Sequence, residues 1–65
     1  MEVSKTFQLR LLRKSVGLSQ NELAQAAKIS QPLVARIERG ERKPSVKVAK
    51  RIASVLGFDW TEFFK

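Results

Sequence analysis

From Ser19 to Gly40 the chain runs SQNELAQAAKISQPLVARIERG, and the start and stop signals inside this stretch leave room for two short helices joined by a tight turn. Ser19 is an N-cap residue, and Glu22, three positions on, can reach back to the Ser19 backbone N–H, which makes a capping box. Leu23, Ala24 and Ala27 then recur at helical spacing and leave Gln20, Asn21, Gln25 and Lys28 on the solvent side. Ser30 is a second N-cap residue, and Pro32 falls in the first turn of the next helix, where a missing N–H costs little. Val34 and Ile37 face inward there; Gln31, Leu33, Ala35, Arg36 and Arg39 face outward. Gly40 stands where a helix needs a left-handed residue past its end.

What surrounds this stretch must close a core with few means. The 65 residues contain no cysteine and no histidine, so disulfides and the usual zinc ligand sets are excluded and apolar packing alone must hold a single domain, 1–65. No apolar run approaches the roughly 20 residues of a membrane span, and the opening MEVSKTFQ lacks the order of a signal peptide. A cytoplasmic, bacterial or phage-like protein that needs neither cofactor nor metal is the expectation. Thirteen Lys and Arg against six Asp and Glu give a formal net charge of +7, which favours a polyanionic partner. Position sharpens this: Arg36, Arg39, Arg42 and Lys43 cluster at the end of the second motif helix and in the loop after it.

Taken in order, residues 4–16 read as a first helix with Leu9, Leu12 and Val16 on one stripe, ended by Gly17. Val3, Phe7 and Leu11 form a second stripe nearly opposite the first, to be covered by the C-terminal aromatics, by a second subunit or by a partner protein. After the motif helices, Glu41-Arg42-Lys43-Pro44 is a polar loop, and Ser45 caps a fourth helix to about Leu56. Val46, Ala49, Ile52, Ala53 and Leu56 supply its inner face, and Gly57 stops it. Asp59-x-x-Glu62 is another capping box by residue type, opening a last short helix. Phe58, Trp60 and Phe63 are assigned to the core and Phe64 to the surface. The expected fold is all-α, a compact five-helix domain with the helix-turn-helix at about 19–40 as helices 2 and 3.

Two helices of this size joined by a three- or four-residue turn and flanked by positive charge form the helix-turn-helix of DNA-binding proteins. GLSQ-x-ELA at Gly17 to Ala24, IS-Q…RIERG at Ile29 to Gly40, Pro44-Ser45 and the Leu56-Gly57-Phe58 close together resemble the lambda-repressor/Cro-type regulators, often called the xenobiotic-response-element family. The likeness runs from about Leu9 to Phe63. It implies a sequence-specific binder of double-stranded DNA, a transcriptional repressor acting as a homodimer through the Arg42 to Pro44 loop and the last helix. It also implies that Gln20 contacts the DNA backbone and helps orient the recognition helix, and that Arg13 pairs with Glu38. Three positions depart from the commonest pattern. Lys28 stands where the turn often has glycine and must accept a positive φ, Pro32 replaces a polar recognition residue, and Leu33 stands where a small polar residue is usual.

The residues themselves suggest how such a helix would read a major groove. The helix at about 31–39 would present Gln31, Pro32, Leu33, Ala35 and Arg36 to base edges. The Gln31 amide matches adenine N6 and N7, and the Arg36 fork matches guanine O6 and N7. Pro32 cannot hydrogen-bond a base, which narrows the readout. Leu33 either meets a thymine methyl or packs inward. Ser19, Gln20 and Asn21 at one helix start, with Arg39, Arg42 and Lys43 beyond the other helix end, are the candidates for phosphate contacts. Arg10 and Lys14 are weaker ones.

Other functions are weighed against this one. A protein-interaction module, such as an antitoxin or adaptor, would use Val3, Phe7, Leu11 and Phe64. Cationic membrane binding would need a large apolar helix face that these helices spend on the core. Catalysis lacks a nucleophile–base pair or a metal cluster among six scattered carboxylates. A ligand pocket of several hundred cubic ångströms is not expected beside so small a core.

Overall fold

Among the described residues, serine caps start three of the four α-helices, and each does so through its own hydroxyl. The computed structural model describes residues 8–65, which form α1 (Leu9–Val16), α2 (Gln20–Ala27), α3 (Gln31–Glu38), α4 (Val46–Leu56) and a terminal 3₁₀ helix, Trp60–Phe64. The hydroxyls of Ser19, Ser30 and Ser45 accept the backbone N–H of Glu22, Leu33 and Val48 at 3.0, 3.3 and 3.1 Å. Ser19 and Glu22 complete the expected capping box, the Glu22 carboxylate accepting the Ser19 N–H at 2.8 Å. Each such cap contributes about 1 kcal/mol.

The helices also end alike. At Gly17, Lys28 and Gly57 the chain turns left-handed, and the next residue returns its N–H five residues back: Leu18 to the Arg13 carbonyl, Ile29 to Ala24 and Phe58 to Ala53. That residue is apolar each time and packs against the core. Two of the three sites have glycine, for which a positive φ is free of steric cost. Lys28, at φ 61° and ψ 45°, accepts the same conformation with a side chain, as its place in the turn requires.

α2 packs on both α3 and α4, α1 leans on α3 and α4, and the 3₁₀ helix lies against α4. Leu9, Leu23, Val34 and Ile52 are the largest side chains fully enclosed, surrounded by Ala24, Ala27, Ile37 and Leu56. On α4 the buried residues Ala49, Ile52, Ala53 and Leu56 follow the i, i+3, i+4, i+7 pattern of one helical stripe. Burying a leucine or isoleucine of this kind is worth roughly 1.5–3 kcal/mol.

Several sequence expectations need correction. α1 starts at Leu9, since Gln8 has φ −89° and ψ 71° and lies outside the helix; positions 4–7, with Val3 and Phe7 of the second stripe, fall outside the described residues. Val16 is half exposed rather than internal, because the reversal at Gly17 brings Leu18 onto the core and Arg13 takes the buried position one turn after Leu9. Val46 is likewise exposed; Pro44 is buried and Val48 packs inward. The fifth helix is 3₁₀, with Glu62 N–H bonded three residues back to the Asp59 carbonyl. The tighter turn brings Thr61, not Glu62, to the Asp59 carboxylate at 3.0 Å, so Asp59 caps without a box, and the Glu62 side chain accepts from Lys65. Phe58 and Phe63 meet edge to face at 5.6 Å and pack on the core; Trp60 is only half-buried, under the Lys50 ammonium at 5.2 Å. Among the described residues no helix is long and apolar enough to cross a membrane, and no group of carboxylates could hold a metal ion.

Candidate nucleic-acid interface

The starts of α2 and α3 are brought together by a row of polar side chains. Arg13 on α1 is enclosed, with its guanidinium Nε 2.6 Å and Nη2 3.2 Å from the two Glu38 carboxylate oxygens, while Nη1 donates to the Leu18 carbonyl at 2.7 Å. One side chain thereby ties the α1–α2 turn to the last residue of α3. The two side chains are only 8% and 3% exposed, and the fork geometry satisfies both. Glu38 has a further partner: Gln20 Nε2 donates to its Oε1 at 3.0 Å. Gln20 Oε1 in turn accepts from Gln31 Nε2 at 3.2 Å. Burial pushes the Glu38 carboxyl up. The hydrogen bonds from Arg13 and Gln20, with the charges of Arg13 and Arg10, outweigh this and hold it below its ordinary value.

The helical spacing of α2 puts Gln20 on the solvent side and gives no sign of its link to Glu38. Gln20 is instead half-buried. Nothing local signals the contact; it follows only once α1 and α3 are seen to converge on Glu38.

Gln31 stands at the exposed first position of α3, followed by exposed Pro32. Arg36, one turn further on, is exposed as well. Ala35 is half-buried, and Leu33 is half-buried against the core cluster, so its inward alternative describes where it lies. The face that α3 offers solvent is therefore led by Gln31, Pro32 and Arg36. Beside it, the capping of Glu22 N–H leaves the Gln20 and Asn21 amides at the positive end of α2 without intrahelical acceptors. The Ser19 hydroxyl accepts in the cap and keeps its proton to donate. Asn21 is exposed.

Beyond α3 the cations are exposed and differently held. Arg39 forks onto Glu41 at 2.9 and 3.1 Å across the left-handed Gly40, and this contact holds the Glu41 carboxyl below its ordinary value. Arg42 is exposed, and Lys43 places its ammonium 5.9 Å from the Phe64 ring. Arg10 and Lys14 are exposed on α1. An open surface groove of about 380 Å³ lies between the end of α2 and α4, with Lys28, Lys50 and Arg51 at its edge.

Comparison with known proteins accords with this arrangement. The family model for helix-turn-helix, HTH_3, matches residues 9–63. The chain is 49% identical over 57 residues to the uncharacterized HTH-type transcriptional regulator YqaF of Bacillus subtilis, covering 88% of this chain and 75% of that protein. It resembles the crystal structure of an HTH_3 family transcriptional regulator from Vibrio cholerae, with a TM-score of 0.75 and 42% identity, covering 88% of this chain and 32% of that one. It also resembles the restriction-modification controller protein C.AhdI of Aeromonas hydrophila, with a TM-score of 0.79 and 35% identity, covering 88% and 83%. The first two are named as transcriptional regulators, a class without enzymatic activity, and the third as a controller protein. The chain belongs to the HTH_3 helix-turn-helix family of DNA-binding transcriptional regulators.

Proposed function

We propose that the chain is a sequence-specific repressor that lays α3 in the major groove and holds the flanking phosphates from both of its ends. The observation that carries this reading is the Gln20–Gln31 contact at 3.2 Å, which joins a side chain suited to a phosphate with one suited to a base edge. Gln31 and Arg36 are the polar base readers. Pro32 and the exposed rims of Leu33 and Ala35 supply apolar contact to the groove wall. Ser19, Gln20 and Asn21 grip one phosphate run, and Arg39, Arg42 and Lys43 the other. A repressor of a bacterial or phage-like operator acts in the cytoplasm.

Two copies on half-sites about 34 Å apart would match a two-fold operator. Exposed Val46 and Phe64, near the loop that carries Lys43, give a second copy an apolar surface to cover. Leu11 is exposed too, but the rest of its stripe, Val3 and Phe7, lies outside the described residues.

Selection from a random duplex library tests the reading. The expected winner is palindromic, and Gln31→Ala and Arg36→Ala each lose preference at particular base positions. Equal binding of winner and scramble, unchanged in both variants, would reduce the basic face to a phosphate-binding surface.

A further inference from the structure

The row Arg13, Glu38, Gln20, Gln31 has a direction imposed by its buried end. A carboxylate bonded to a guanidinium has no proton to give, so it can only accept. The Gln20 amide must therefore turn its NH₂ toward Glu38, at 3.0 Å, and its oxygen toward Gln31. That oxygen can only accept in its turn, so Gln31 must present its NH₂ to Gln20, at 3.2 Å, and its own oxygen on the opposite side. Either glutamine alone could flip freely; coupled to Glu38, neither can.

This order of donor and acceptor matters at a base edge. A purine carries N7 on the side of its own strand and the 6-substituent toward the middle of the groove. With Gln20 on the phosphate side, the Gln31 donor lies toward N7 and its oxygen toward position 6. Adenine answers both, with its N7 acceptor and its N6 amino donor. Guanine sets O6 against the Gln31 oxygen. The reverse order would oppose an oxygen to N7 and offer a donor to O6, so adenine would lose its advantage.

We propose that Glu38, without touching DNA, fixes the amide polarity of Gln31 through Gln20 and so makes Gln31 a reader of adenine over guanine. The inference rests on the reading of Gln31 as a base contact. Glu38 and Gln20 are positioning residues, and the positive charge of Arg13 offsets the burial of the carboxylate.

The test uses the full chain and its selected duplex, with the adenine that depends on Gln31 replaced by guanine in a matched second duplex. The readout is the ratio of the two Kd values. The wild type should prefer adenine by roughly tenfold, within the range of a good bidentate contact. Glu38→Gln, whose amide can donate or accept, should bring the ratio to within about threefold. Because that change also breaks the ion pair, Gln20→Ala is the second variant: it leaves Arg13 and Glu38 together, weakens both duplexes, and should reduce the ratio similarly. Arg13→Lys should lower thermal stability yet keep the ratio, since the acceptor-only carboxylate remains. A Gln31-dependent tenfold ratio that survives both Glu38→Gln and Gln20→Ala overturns the proposal alone, as does a ratio that falls equally in Arg13→Lys. A wild-type ratio near one, unchanged in Gln31→Ala, overturns the base-contact reading and the proposal with it.

Discussion

The two ends of α3 hold their polar side chains in opposite ways. At its start, Gln31 is reached through a chain of hydrogen bonds rooted in a side chain 3% exposed, and each member has its orientation set by the one before. Past its end, Arg39, Arg42 and Lys43 sit in water, restrained by a neighbouring carboxylate and an aromatic ring. A base edge demands a particular donor and acceptor in a particular place, whereas a phosphate run asks only for charge within reach. The start of α3 is thus ordered as a base edge would require, and the far end is as free as a phosphate run would allow.

The largest effect belongs to the buried root. Arg13→Ala leaves the Glu38 carboxylate enclosed without its partner, and losses of about 3–5 kcal/mol are usual for that; exposed Arg10→Ala should stay within about 0.5 kcal/mol. Urea denaturation of both variants checks this, and equal midpoints would remove the ion pair from the account.

A smaller effect should appear with acid. The Glu38 carboxyl titrates lower in the folded than in the unfolded chain, so its stabilisation is complete above its ordinary value of 4.5 and is lost as the pH falls through the lowered folded value. Melting temperatures should hold steady through neutral pH and decline below about 4.5. Glu41 and Asp59 shift in the same direction from the surface. The comparison with Glu38→Gln therefore isolates the buried group: that variant should start less stable and lose less over the same interval.

At the solvated end, Arg42→Ala should weaken specific and scrambled duplexes alike and reduce the slope of log K against log salt by roughly 0.9. An effect confined to one sequence would show that this end also reads bases. Smallest of all, Lys28→Gly relieves a left-handed backbone that costs a side chain about 1–2 kcal/mol, offset by the greater freedom of glycine in the unfolded chain. A gain of a few tenths of a kcal/mol in thermal unfolding, with DNA binding unchanged, is the expected result.

The same contrast separates what was legible in the sequence from what was not. Ser19, Ser30 and Ser45 act on amides three residues away, so their caps follow from local order. The stop at Gly17 is equally local, but the inward packing of Leu18 in place of Val16 depends on the direction the chain takes after the reversal. Arg13 and Glu38 are 25 positions apart, and their pairing came from family likeness rather than from spacing. The bond between Gln20 and Glu38 has no local signal: the family likeness gives Gln20 a part in orienting the recognition helix, but glutamine at an exposed helix start looks solvated until a third helix supplies the carboxylate. Trp60 and Val46 show the limit from the other side: apolar residues at plausible core spacing stay partly outside when the helix carrying them ends or begins at the edge of a small core.

The most direct test of this contrast is a salt series on the wild-type chain, with the selected duplex and its scrambled counterpart measured side by side. If α3 reads bases while the basic loop neutralises phosphates, both affinities fall steeply and in parallel as salt rises, and the ratio between them persists. A ratio that shrinks toward one with added salt would mean that the discrimination itself is ionic, and would contradict the account.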